Sequence, residues 1–324
     1  MDLLSIIQKP IEQDIIKFND YYRVQFKSDI KLLNETLAYM GNSIGKMMRP
    51  MLVMLVAKSI GEVDEKIFAA ASAMELLHTA SLVHDDVIDE SDMRRGNPSL
   101  NIVFNNNIAV LTGDFLFSQA LNNAAATNDI RVVSELSNLG KALSRGEMLQ
   151  VELRKNGTYS EENYIDVIIS KTASLFVCSC VCAAYLSGAS KDVVESFEKF
   201  GKNVGICFQI KDDLFDYYSN DIGKPTGSDM REGKITLPAL YVLRNSGNPL
   251  LAPIKEKLSS GKELSEDEIT ALIAIAKEEG GVEYAESQIE RYRSLAVDAL
   301  PDTIPAELRS AFEAYIDYTI LRSK

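Results

Sequence analysis

Two aspartate triplets of the same form lie far apart in this chain of 324 residues. One is Asp85, Asp86 and Asp89 in His-Asp-Asp-Val-Ile-Asp-Glu; the other is Asp212, Asp213 and Asp216 in Phe-Gln-Ile-Lys-Asp-Asp-Leu-Phe-Asp. Each places acids at i, i+1 and i+4 inside an apolar segment. On a helix advancing about 100° per residue, the first and last of these acids share a face. Carboxylates crowded on one helix repel each other, and apolar surroundings add a desolvation cost. So unfavourable an arrangement, made twice, points to a bound cation. Hard divalent ions such as Mg2+ take oxygen ligands, often one or two carboxylates together with phosphate oxygens.

The segments that carry the triplets read as helices. Apolar residues recur at helical spacing over Arg49–Ile60, Lys66–Val83, Arg131–Arg154, Glu162–Leu186 and Val193–Asp216. Strand-like alternation is nearly absent, and Asn156-Gly157 is an isolated hairpin signal. Ser265 with Glu268 forms a capping box that opens a late helix, Gly280-Gly281 ends it, and Pro301 and Pro305 break the chain before a terminal helix. The expected fold is all-α. No linker or compositional shift divides residues 1–324, so a single domain is expected.

The net charge of −13, with no basic run, argues against nucleic-acid binding. The first ten residues do not form a signal peptide, and no uninterrupted apolar stretch approaches the roughly 20 residues that span a bilayer. A soluble cytoplasmic protein is expected. Cys178, Cys180, Cys182 and Cys207 sit among apolar residues without a neighbouring histidine, which suits small buried side chains in a reducing compartment better than zinc.

A loop rich in cations follows each triplet: residues 92–99, with Arg94 and Arg95, and residues 218–234, with Lys224 and Lys234. Carboxylates that hold metal beside cations that hold an anion call for a ligand with several negative charges, such as a diphosphate. The P-loop pattern, the dinucleotide glycine fingerprint and the Gly-x-Ser-x-Gly elbow are all missing.

The chain resembles the trans-isoprenyl diphosphate synthases, or polyprenyl synthetases, from about Gly45 to the last helix. The resemblance is carried in order by Gly45-Lys46-x-x-Arg49-Pro50, Glu75-Leu-Leu-His78, the first triplet with Arg94-Arg95-Gly96, and Gly113-Asp114. Gly146-Glu147-x-x-Gln150, Lys171-Thr172-Ala173, Phe208-Gln209 with the second triplet, Gly223-Lys224 and Gly233-Lys234 follow. It departs at Met47, where the family usually has a basic residue.

The resemblance implies a single large helical bundle with a central active-site cavity, and a homodimer. It also implies a reaction: an allylic diphosphate ionises with the help of Mg2+, isopentenyl diphosphate attacks the cation, and a proton is lost. All six aspartates would serve about three Mg2+ ions bound with the substrate diphosphate. Arg94, Lys171, Lys234 and Lys224 would grip the allylic diphosphate, and Lys46, Arg49, His78 and Arg95 the isopentenyl diphosphate. Thr172 and Gln209 would stabilise developing positive charge, and the released diphosphate would take the proton. Glu147 and Gln150 share one helix face, with a water-mediated metal role open to them. His84 is read as orienting or shielding an acid, and Phe115 and Phe117 as core packing.

Chain growth would run along the helix bearing Asp85, one turn being about 5.4 Å. Short-chain members commonly place an aromatic residue four or five positions before Asp85, where this chain has Ser81 and Ala80. The first triplet also lacks the two-residue insertion of bacterial farnesyl enzymes. A medium- to long-chain, octaprenyl-like product for quinone side chains is therefore expected, with the tunnel floor open to Leu77, Ala73 or residues of neighbouring helices or the partner subunit, and product release open to help from transient membrane contact or a partner. The alternatives are a short-chain farnesyl or geranylgeranyl synthase, a terpene cyclase or head-to-head enzyme, a non-catalytic subunit, and a plain Ca2+-binding helical protein.

Overall fold

The computed structural model describes residues 2–41, 45–218 and 226–322. In chain order its helices are α1 (Leu3–Gln8), α2 (Glu12–Arg23), α3 (Lys31–Gly41), α4 (Met48–Ile60), α5 (Glu65–Ile88), α6 (Leu100–Phe104), α7 (Asn106–Ala126), α8 (Ile130–Asn156), α9 (Glu161–Ile168), α10 (Ser174–Leu186), α11 (Lys191–Leu214), α12 (Ser228–Arg231), α13 (Leu237–Asn245), α14 (Leu251–Ser259), α15 (Glu266–Glu278), α16 (Gly281–Ala299) and α17 (Ala306–Leu321). The all-α reading is correct. The contacts gather the chain into two compact units: Met1–Asn138, Cys178–Glu198 and Pro301–Ala314 in the first, and Leu139–Val177, Lys199–Leu300 and Tyr315–Lys324 in the second.

In the first unit, α5 is buried on every side from Ile67 to Leu77, the signature of a core helix. Asp64 caps it, its side chain accepting from the backbone N–H of Lys66 and Ile67 at 3.0 and 3.1 Å. The helix runs beyond Val83, through Asp85 and Asp86, and Asp89 is its C-terminal cap. Among the described residues, two helical stretches, Glu65–Ile88 and Glu161–Leu186, are long and apolar enough to cross a membrane, yet 72% of each apolar window is buried within the protein. That burial marks them as core helices.

Among the described residues, one short hairpin pairs β1 (Met93–Arg94) with β2 (Asn97–Pro98). Its two-residue turn, Arg95 and Gly96, has positive φ at both positions (51° and 78°), as mirror-image hairpin turns require and glycine tolerates best.

The expected helix over Glu162–Leu186 is interrupted within the part that belongs to the second unit. Between α9 and α10 the segment Ile169–Ala173 winds as a π-helix, a distortion often found at functional sites. Glycines hold it from two sides. A Cβ at Gly205 would lie 2.4 Å from Ala173 Cα, and one at Gly146 would lie 3.0 Å from the Lys171 nitrogen. The capping box at Ser265 is present, and Gly280, at φ 84°, separates α15 from α16.

Candidate active site

The first triplet is graded in exposure: Asp86 is buried, Asp85 half-buried and Asp89 exposed. A buried carboxylate needs a partner, and Arg94 of the hairpin supplies it, with Nε donating to Asp86 Oδ1 at 2.9 Å and Nη2 to the same oxygen. Arg94 thus already holds one of the acids. Close by, burial pushes the His78 pKa well below the usual histidine range, and Arg49, Arg95 and Arg94 push it the same way. His78 is therefore neutral, among three guanidinium groups. Glu75 is their buried counter-charge: burial raises its pKa, opposed by Arg49 and Arg95. Among the described residues its Oε2 has no hydrogen-bond partner.

Gly45 leaves room for the Arg95 guanidinium, since a Cβ there would lie 2.7 Å from Arg95 Nη1. A cavity of about 90 Å³ opens beside Glu75, Asp86, Arg94 and Arg95, walled by Tyr22 and Tyr39. Lys46 is exposed and Arg49 half-buried. Met47, between them, adopts a left-handed conformation (φ 53°), which costs an L-residue roughly 1 kcal/mol.

Ala80 and Leu77 are buried in α5, and Ser81 turns its hydroxyl back to the His78 carbonyl at 2.9 Å. His84 turns toward α7: its Nε2 lies 3.3 Å from the Val110 carbonyl and 3.4 Å from Asp114 Oδ1. Phe117 is 38% exposed, which corrects its reading as core packing.

In the second unit the triplet divides its work. Asp213 is buried; it accepts from Tyr164 OH and from Gln209 Nε2, each at 2.7 Å. Burial raises its pKa strongly, with Asp229 adding to the effect and the two donors opposing it. Asp216 is spent on the following loop: Oδ1 accepts from Ser228 N and Oγ at 2.9 and 2.7 Å, and Oδ2 from Asp229 N at 3.1 Å. Asp212 is the most outward of the three and pairs with Arg322 Nη2 at 3.0 Å. Arg322 lies 3.8 Å over the Phe208 ring, and burial lowers its pKa.

Lys171 and Thr172 stand on the π-helical segment. Lys171 Nζ pairs with Glu147 Oε1 at 2.6 Å, and Thr172 Oγ1 donates to Gln209 Oε1 at 2.6 Å. Lys234 pairs with Glu232 Oε2 at 2.5 Å, and its backbone N–H donates to the Asp229 carbonyl. Asp229 is raised to about 6 by burial first and then by Asp216. Lys224 and Gly223 lie outside the described residues.

Tyr164, Asp229 and Arg322 escaped sequence reasoning. Asp229 follows Gly227-Ser228 in the cationic loop and could have been suspected. Tyr164 and Arg322 reach the triplet through tertiary contacts, for which no local signal exists. Among the described residues, no three acids, histidines or cysteines converge as a ready-made metal cage. The donor set fits Mg2+ nonetheless, because that ion keeps waters and substrate oxygens and asks the protein for only one or two carboxylates.

Comparison with known proteins bears on the family and the fold. A model of the polyprenyl synthetase family matches residues 30–276. An octaprenyl diphosphate synthase of Haemophilus influenzae is 35% identical over 314 residues, covering 96% of this chain and 95% of the relative. A Caulobacter crescentus polyprenyl synthase, solved with calcium and isoprenyl diphosphate, superposes with a TM-score of 0.90 at 29% identity over 98% of each chain. A geranylgeranyl pyrophosphate synthase from Bacteroides thetaiotaomicron is 39% identical, with a TM-score of 0.84, over 99% of this chain and 100% of its own. The fold is that of a helical prenyltransferase. The chain belongs to the polyprenyl synthetase family.

Proposed function

We propose that this protein condenses isopentenyl diphosphate, head to tail, onto an allylic diphosphate to make a medium- to long-chain all-trans polyprenyl diphosphate. The observation that carries this reading is the cluster of Arg49, Arg94 and Arg95 around neutral His78, next to a triplet in which Arg94 already neutralises Asp86. Such a cluster suits an anion with several oxygens.

Asp85, Asp89 and Asp212, the less buried acids of the two triplets, would hold about three Mg2+ ions, directly or through water, Asp212 on leaving Arg322. Bound Mg2+ supplies Lewis-acid stabilisation of the departing diphosphate. Lys171, released from Glu147, takes allylic diphosphate oxygens together with Arg94, Lys234 and Lys224. Lys46, Arg49 and Arg95 hold isopentenyl diphosphate, and His78 adds a neutral hydrogen bond. Thr172 and Gln209 stand at the developing cation, whose survival requires water to be excluded. The released diphosphate removes the proton.

Small residues at Ala80 and Ser81 support a long product, as does the octaprenyl relative. A shorter, geranylgeranyl product is the second reading, favoured by the 39% identity to the Bacteroides thetaiotaomicron enzyme. We further propose that residues 1–324 act as one catalytic domain in a cytoplasmic homodimer, with product leaving at a lipid surface. A second copy of the chain would cover the exposed apolar residues Val110, Leu111, Phe117 and Leu121 of α7. Incorporation of labelled isopentenyl diphosphate in Mg2+, abolished by chelation, tests the activity. Labelling that resists chelation contradicts it.

A further inference from the structure

We propose that Tyr164 is a positioning residue for chain elongation, fixing through Asp213 and Gln209 the direction in which the Thr172 hydroxyl points. The proposal rests on the prenyltransferase reading above and deepens it.

The four groups form a polarised chain. Tyr164 on α9 donates its hydroxyl to Asp213 Oδ2, and Gln209, one turn before Asp213 on α11, donates Nε2 to Oδ1, both at 2.7 Å. With Gln209 Nε2 turned to Asp213 Oδ1, the carbonyl end of the amide faces Thr172. Thr172 donates its one hydroxyl hydrogen to that carbonyl at 2.6 Å. A hydroxyl that has spent its hydrogen offers only lone pairs in other directions. Thr172 therefore presents the negative end of its dipole, which stabilises a developing carbocation.

Tyr164 is the start of this order. It is 9% exposed, and its phenolic O–H is a donor at neutral pH. Without its hydroxyl, Asp213 Oδ2 loses its donor, and the carboxyl group is free to rotate so that Oδ1 no longer fixes Gln209 Nε2. The Gln209 carbonyl is then no longer held toward Thr172. Because Thr172 stands on the π-helical turn clasped by Gly146 and Gly205, its backbone does not move to compensate.

Tyr164→Phe removes one oxygen. The expected result is a fall in kcat of about tenfold, with KM for both diphosphates changed by less than about twofold. In a Thr172→Ala background the same substitution should cost almost nothing more, because the group it orients is gone. Tyr164→Met removes the same donor with a more adaptable side chain and should couple in the same way, should the phenylalanine variant not fold. A loss that adds in full to that of Thr172→Ala, a loss confined to KM, or no loss overturns the proposal. The activity of the unaltered enzyme tests the function itself, so the two failures are told apart.

Discussion

Arg94 grips Asp86 through two guanidinium nitrogens, with Nε at 2.9 Å, so one acid of the first triplet is committed to a cation from the hairpin that follows it. The hairpin turn at Arg95-Gly96 thus does two jobs. It returns Arg94 onto α5, and it leaves Arg95 beside Gly45, Glu75 and His78.

Arg94→Ala should destabilise the fold by about 2 kcal/mol, the scale of a charge-assisted hydrogen bond to a buried carboxylate. Urea unfolding reads the loss. Calorimetry should also show weaker binding of the allylic diphosphate. Unchanged stability would mean that solvent, and not Arg94, satisfies Asp86.

The acid pair Asp216 and Asp229 gives a pH dependence. Asp229 is raised from the usual 3.8 to about 6, first by burial. The folded state therefore binds more protons than the unfolded state between those values. The contribution is fully favourable below about pH 4 and is lost as pH rises through about 6. Chelator-treated protein should lose about 3 kcal/mol across that window from this group alone. Asp229→Asn should flatten the dependence, and an unaltered pH profile in that variant would refute the assignment.

Gly205→Ala places a methyl group 2.4 Å from the Ala173 Cα, a backbone atom with little room to yield. A cost of about 1–3 kcal/mol is expected. Activity should fall further than stability does, because the π-helical turn that carries Lys171 and Thr172 must shift. Thermal melting measured beside kcat checks both halves of the prediction.

Much of this was legible from periodicity. α4 and α8 begin within one residue of the expected starts, and the capping box at Ser265 is where its Ser-x-x-Glu pattern places it. Local patterns carry that information because helix faces and caps are local. The π-helical turn at Ile169–Ala173 was not legible, since its cause lies in close approaches from Gly146 and Gly205, distant in sequence. The hairpin was missed because its strands are only two residues long. All six aspartates were picked out, but their division of labour was not: Asp86, Asp213 and Asp216 are occupied by Arg94, by Tyr164 with Gln209, and by Ser228 with Asp229. These partners arrive through tertiary structure.

Ala80→Phe should shorten the product. Ala80 is buried on α5, five residues before Asp85, so the added ring must either fill the growth path or strain the core by roughly 1–3 kcal/mol. Chromatography of dephosphorylated products distinguishes these: a ladder ending earlier at retained turnover supports the path, and an unchanged ladder places the path elsewhere.

The most direct measurement is the product ladder itself. Purified protein is given Mg2+, farnesyl diphosphate and labelled isopentenyl diphosphate, and the products are resolved by length beside a chelated control. The expected result is a metal-dependent ladder running well beyond geranylgeranyl. A stop at geranylgeranyl would contradict the long-chain claim, and no extension of any allylic primer would contradict the prenyltransferase itself.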